Sequence, residues 1–416
     1  MKIRGSVVGL IAITSLIASV GAAYAGRPAS GARSRYLYVW GGTGSMRRNG
    51  VDMITVIDAD PSSPRYGAII DAVTVDTMGM MPHHAEMELP TAGPFFVNDF
   101  MADKSYLIGF AAAGHPAVAG ELAPVPGGHN VHSFARLSNG HVIATIQFGD
   151  GKTAGNPGGL AEFDANGVLV RFGSSADPAF GGAHIRTYAL TLLPAIDRVV
   201  TTSSAMDSER VANTVQVWRL SDLKLLKTLS VSQVGTDSAY RRPFEVRTMA
   251  DGHTALMNTY NCGFYRLTDL DADPKIERVL AMEHPRNLGC SVPAIVGHYM
   301  VVPITHAHRY ATLDIADPSH PVEVSSLDMD STFFPHWMNN EPGSNRVVAT
   351  VRERANNVEG TPIVMLGYLN RATGKLTWDE RFRDAKATTP GVKFTRETWP
   401  NGVKGMVMPH AALFVP

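Results

Sequence analysis

The chain repeats one unit, and the repeat limits the fold more than any single motif does. The unit opens with a hairpin of two short apolar strands and a tight turn. In 132–144 the strand from His132 runs to Ser138-Asn139-Gly140 and returns as His141-Val-Ile-Ala. In 245–256 the tip is Ala250-Asp251-Gly252. Asn-Gly and Asp-Gly supply the positive φ that tight hairpins require. The pattern returns at 188–204, 291–305 and 336–351, with a weaker copy at 84–100. A second strand pair follows each hairpin, joined by a turn such as Asp58-Ala-Asp-Pro-Ser-Ser-Pro64 or Asp314-Ile-Ala-Asp-Pro-Ser-His-Pro321. Asp bonds its own backbone in such turns and Pro fixes φ. Leu270–Pro274 repeats the form, with looser copies at 159–172, 214–229 and 363–382 and a poorer one near 106–110.

First strands begin near residues 84, 132, 188, 245, 291, 336 and 410. The spacings run from about 45 to 75 residues, in the range of propeller blades with loop insertions. The longest interval suggests an insertion around 384–396. The two ends are complementary. Ala411-Ala-Leu-Phe-Val-Pro416 is a first strand with no partner after it, and Arg35-Tyr-Leu-Tyr-Val-Trp40 is a second strand with no partner before it. Pairing them closes a ring and removes its open edges. The expected fold is therefore all-β, a seven-bladed β-propeller closed by pairing of the N- and C-terminal strands. A pair of β-sandwiches is the competing architecture, and it leaves both end strands unexplained.

Histidines recur at one position of the repeat: His83 and His84, His132, His336 and His410, three of them after proline. The first strand of each propeller blade lines the central channel. The residues expected there are His83 or His84, His132, Tyr188, Glu245, Ser291, His336 and His410. Neutral imidazole suits Cu, Zn, Fe and Ni. Copper or iron would permit redox chemistry and zinc Lewis-acid hydrolysis. Glu245 and Tyr188 are the candidate catalytic groups for proton handling. A single such histidine is ordinarily structural; equivalence across repeats is what raises these to metal ligands. Adjacent strand residues point to opposite faces, so His83 and His84 can share a site only at an irregular strand entry.

The remaining histidines carry less. His306 and His308 alternate as if on one strand face, a candidate second site, and His129 stands in a Gly-rich loop where it would gate the channel. His115, His141, His253, His298 and His320 read as solvated, and His184 and His284 are unassigned. Met78, Met80, Met81, Met406 and Met408 flank two Pro-His steps; thioethers favour Cu(I), although packing is the commoner use.

Residues 1–25 have the charged start, apolar run and Ala23-Tyr24-Ala25 ending of a secretory signal. The expected organisation is a signal peptide over 1–25, a flexible mature N-terminus over 26–34 and one propeller domain over 35–416. That implies a periplasmic chain with no membrane span after cleavage. A net charge of −1 excludes the basic surface that nucleic acid requires. Cys262 and Cys290 match no zinc knuckle. An oxidising compartment would allow them to pair, though two free thiols are the default expectation. There is no P-loop, dinucleotide fingerprint, nucleophile elbow, or flavin or haem motif. Gly41-Gly42-Thr43-Gly44 lacks the following helix of a phosphate loop.

At these residues the chain resembles the selenium-binding protein / methanethiol oxidase family. The matching pieces are Asp58-Ala-Asp-Pro-Ser-Ser-Pro-Arg-Tyr66, His83-His84, His132 followed by Leu137-Ser-Asn-Gly-His-Val-Ile143, 314–321 and Pro409-His410. The resemblance implies a seven-bladed propeller, a periplasmic location and a copper-dependent oxidation. In that reaction methanethiol, O2 and water give formaldehyde, hydrogen sulfide and hydrogen peroxide. It places copper at His83, His84, His132 and His410; His336 comes from the repeat alone. The family's cysteine-rich segment is replaced here by Glu86-Met-Glu-Leu-Pro90, and the C-terminus stops at Val415-Pro416, which puts selenium binding and the substrate in question. The leading expectation is a copper-histidine oxidoreductase acting on a small thiol or sulfur compound with O2. The alternatives are a non-enzymatic propeller that binds protein or metal, and a metal-dependent lactonase-type hydrolase, which would favour a channel rich in Asp, Asn and Glu.

Overall fold

The computed structural model describes residues 33–416, except 44–49, 78, 91, 113, 151–155, 182–184, 207–211, 234–240, 284–287, 353 and 356–357. The signal segment, most of 26–34, Gly44, Met78, His184 and His284 lie outside the described residues.

Seven antiparallel sheets form the blades of a propeller. The closing blade runs from the inside outward as Met408–Val415, Tyr36–Gly42, Asp52–Asp58 and Ile69–Thr74. The orphan ends pair as expected, Tyr36 opposite Val415 and Val39 opposite Ala412. The next six blades follow in chain order. Their inner strands are Pro82–Ala85, Gly128–Arg136, Thr187–Leu193, Pro243–Thr248, Ala294–Val296 and Pro335–Asn340. Each inner strand lies within a few residues of the start expected from the repeat. Gly140 and Gly252 take φ of 89° and 71° at the two hairpin tips. The Asp turns also form: Asp58 Oδ1 accepts from the Asp60 amide at 3.1 Å, and Asp314 Oδ1 from that of Ala316 at 2.9 Å.

The insertion after Trp378 covers the closing seam. Val392–Lys393 adds to the edge of Ile363–Leu369, and Phe382, Phe394 and Trp399 pack with Leu37, Val39 and Phe414. Nearby, the buried Arg346 guanidinium donates to the Ser34 carbonyl at 3.2 Å and pairs with Glu341, whose Oε1 accepts from the Ser34 amide at 2.5 Å. Among the described residues, no helix is long and apolar enough to cross a membrane.

A repeated polar clasp joins neighbouring blades. Asn98, Thr145, Thr202, Asn258, Thr305 and Thr350 stand on or just beyond the second strands. Each donates to a backbone carbonyl at the next blade's inner edge: Val131 at 2.6 Å, Tyr188 at 2.6 Å, Phe244 at 2.5 Å, Ser291 at 3.3 Å, Pro335 at 2.7 Å and His410. A buried hydroxyl or amide must find a partner. Here that requirement holds each inner strand against the blade before it. The closing blade uses Trp40, whose Nε1 donates to the Asn98 carbonyl at 2.8 Å.

Cys262 and Cys290 form a disulfide, with Cα atoms 5.2 Å apart. The default expectation of free thiols is thus overturned. No local signal announces the pairing, because the bond joins a turn of one blade to the entry of the next. Both cysteines are fully buried.

Candidate metal centre

Six of the seven inner hairpins carry a register break at the same level. The breaks fall between Pro82 and Ala85, Val131 and Phe134, Thr187 and Leu190, Pro243 and Val246, beside His336, and where His410 stands opposite the Trp40–Gly41 step. A bulge inserts an unpaired residue and re-aims its side chain. The bulged residues include His83 and His84, His132, Tyr188, Phe244 and Glu245, His336 and His410. The irregular entry lets adjacent His83 and His84 face one site, as the sequence requires. Gly41 belongs to this device. A Cβ there would strike the Met408 carbonyl, so only glycine admits the bulged inner strand so closely.

All five histidines meet. The ring of His83 lies 4.6 Å from His84, 4.7 Å from His132 and 4.3 Å from His410, and His84 lies 4.2 Å from His132. His336 stands behind His410, its Nε2 3.1 Å from that of His410. One ligand atom each from His83, His84 and His132 lies within 4.8 Å of the other two. His410 and His336 complete the histidine wall beside this triad.

Hydrogen bonding leaves the right atoms free. His132 Nδ1 donates to the Tyr188 carbonyl at 3.1 Å and contacts Ser133 Oγ at 2.9 Å. His84 Nδ1 meets the same hydroxyl at 3.0 Å. A hydroxyl oxygen has two lone pairs, enough to accept from both rings. Both Nε2 atoms then carry bare lone pairs, and both are buried without a partner. His83 has neither nitrogen bonded, and His410 Nδ1 is also buried and unpartnered. Buried polar atoms are normally satisfied. Convergent unpartnered imidazole nitrogens, two of them on rings held from behind through Nδ1, suit a metal site. The residues present fit a transition metal.

Electrostatics agree. Burial, which penalises the imidazolium, holds His132 and His410 down at about 3. The same cause, reinforced by the neighbouring histidines, holds His83 and His84 well below the usual range; burial and His410 do so for His336. Neutral imidazole is the form that binds metal. Phe100 lies 5.8 Å from His132, and Trp337 lies edge-on to His84 at 5.0 Å, its indole N–H buried without a partner.

The two candidate catalytic residues separate. Tyr188 stacks on His132 at 3.8 Å, and burial pushes its phenol well above 10, so it keeps its proton. Glu245 is buried and paired through Oε2 with Arg247 at 2.8 Å, and among the described residues no hydrogen bond joins it to a histidine. Phe244, the other residue of that bulge, stacks on Tyr188 at 4.7 Å.

The peripheral histidines need correction. Thr305–Ala307 is a 3-10 turn and His308 is left-handed at φ 51°, so His306 and His308 do not share a strand face. His306 meets Tyr260 and His308 meets the Phe333 carbonyl. His129 pairs with Asp103 at 2.8 Å, and His141 is half-buried against Glu162 at 2.7 Å instead of being solvated. Met408 packs in the core and Met80 is exposed.

Sequence reasoning missed Ser133, Trp337 and the acid pair Asp52–Asp99. Asp99 stands opposite Pro82, next to His83. Burial and its neighbour Asp52 raise it to about 8. The segment Glu86-Met-Glu-Leu-Pro90 lies at the opposite mouth, beside a funnel of about 690 Å³. There Glu86 takes Arg136 at 2.5 Å, and the Met87 carbonyl accepts from Asn339.

No family model matches the chain, and no curated protein matches it. Solved structures do. A hypothetical selenium-binding protein from Sulfolobus tokodaii has TM-score 0.72 at 14% identity, covering 92% of this chain and 94% of that one. The periplasmic gluconolactonase of Pseudomonas aeruginosa has TM-score 0.61 at 12% identity, over 92% and 100%. A candidate 6-phosphogluconolactonase from Bacteroides uniformis has TM-score 0.59 at 10% identity, over 92% and 100%. At these identities the likeness shows the propeller fold alone.

Proposed function

We propose that the chain is an exported propeller whose histidine centre holds copper and oxidises a small thiol or sulfur compound with O2, in the manner of the methanethiol oxidases. The observation that carries this is the set of buried, unpartnered Nε2 atoms on His83, His84 and His132. The likeness to a protein named as selenium-binding supports it. The disulfide suits the periplasm, where thiols oxidise. Copper bound there supplies electron transfer between the sulfur compound and O2. The chain's own part is to hold and shield. Ser133 and the Tyr188 carbonyl orient two imidazoles, Phe100 and Trp337 keep water away, and the Tyr188 ring, its phenol protonated, stacks on His132.

A second reading is a metal-dependent lactonase-type hydrolase, favoured by the gluconolactonase names among the fold's relatives. A donor set made of imidazoles, with Glu245 already paired, weighs against it. Oxygen-electrode assays on copper-loaded protein decide. The expected result is O2 uptake that depends on a small thiol, with hydrogen peroxide formed. Copper-loaded protein that consumes no O2 with any small thiol contradicts the oxidase reading, and gluconolactone hydrolysis in its place supports the second.

A further inference from the structure

An aromatic wall runs from the metal centre to the rim of its mouth. Tyr188 stacks on His132, Phe244 on Tyr188, and Tyr260 lies 5.5 Å beyond Phe244. Three cationic or imidazole groups gather on Tyr260. Arg352 Nη1 donates to its hydroxyl at 2.8 Å, His306 Nε2 meets the same oxygen at 3.1 Å, and the Arg242 guanidinium lies over the ring at 5.2 Å. His306 Nδ1 is buried without a partner. Tyr260 is fixed in place, because its amide donates to the Arg242 carbonyl and its carbonyl accepts from the amide of disulfide-bonded Cys290, both at 2.9 Å.

The contrast with the opposite mouth is chemical. There each arginine has its carboxylate, Arg136 with Glu86 and Arg247 with Glu245. Among the described residues neither Arg242 nor Arg352 pairs with a carboxylate. Arg352 also helps hold the imidazoles of His336 and His410 neutral, so its positive field reaches the centre.

We propose that Arg242, Tyr260, His306 and Arg352 form a recognition site for a compact oxyanion, so that the centre's substrate is a sulfur compound bearing a carboxylate or sulfonate. This rests on the oxidase reading for what happens at the metal, but the anion site stands by itself. A guanidinium presents paired N–H donors that match such a group. The anion seats at the rim, and the aromatic wall sets the distance between it and the sulfur that reaches the histidines.

Calorimetric titration of the metal-stripped full chain tests this without copper. The probe is methanesulfonate, and the neutral control is dimethyl sulfone, which has nearly the same shape. Methanesulfonate should bind and the sulfone should not. Arg352→Gln should weaken binding about tenfold, the loss of one charge-assisted contact. Tyr260→Phe should weaken it less, and Arg371→Gln, at an exposed outer turn, should change nothing. No binding, equal binding of the sulfone, or full binding by a folded Arg242→Gln, Arg352→Gln double variant overturns the proposal. Because no metal is present, none of these results depends on whether the oxidase reading holds.

Discussion

His132→Ala should abolish tight metal binding while leaving the propeller folded. His132 contributes one of the three unpartnered Nε2 atoms, and its ring is anchored from behind by Tyr188 and Ser133. Removing an outer-shell partner alone typically costs 10–100-fold in metal affinity. Ser133→Ala, which releases His84 and leaves His132 held by the Tyr188 carbonyl alone, should fall in that range, and His132→Ala should exceed it. His410→Ala should also lose tight binding, since its ring is the nearest to His83. His336 touches the site through His410, so His336→Ala should weaken binding by an outer-shell amount. Competition with a chelator of known affinity ranks the four variants. If His132→Ala retains wild-type affinity, the site has been misplaced.

Acid should unfold the metal-stripped protein. Five clustered imidazoles are held neutral in the fold, with His132 and His410 at about 3. An imidazole whose folded pKa is depressed contributes stability that is fully present above its unfolded value and is lost as pH falls toward the folded one. At pH 5 the cost is about 2 kcal/mol for each group shifted from about 6.5 to about 3. His132 and His410 alone then cost about 4 kcal/mol, against a total stability of about 5–15 kcal/mol for an ordinary domain. His83, His84 and His336 act in the same direction. Asp99 opposes them: raised to about 8, it favours the fold at low pH and that contribution is lost as pH rises. One carboxyl cannot offset five imidazoles. Thermal melts of the stripped protein should fall steeply below pH 6.5, and added metal should move that fall to lower pH. A melting temperature flat between pH 7 and 5 contradicts the buried neutral cluster.

Much of this was legible because the repeat writes itself twice, in turns and in histidines. Asn139-Gly140 and Asp251-Gly252 mark hairpin tips through their backbone chemistry, and the ends declare themselves as unpaired strands. The level of the site followed from repeat position, and the five histidines do converge. The bulges were not legible, since a register break depends on how two strands meet and no local residue signals it. That is why Phe244, one residue before Glu245, takes the stacking place. The clasp was legible in principle: Asn98, Thr145, Thr202, Asn258, Thr305 and Thr350 recur at blade spacing, but a lone Thr or Asn in a strand carries no mark of its partner. The disulfide and the Tyr260 cluster join residues of successive blades, and nothing local in the sequence names those partners.

The measurement that bears most directly on the central claim is metal analysis of the wild-type chain after copper-replete expression, followed by X-ray absorption at the metal edge. The account predicts about one copper per chain, bound by three or four imidazole nitrogens at about 2.0 Å, the distance usual for metal–histidine bonds. A chain that carries no transition metal, or one whose first shell is oxygen or sulfur, contradicts it.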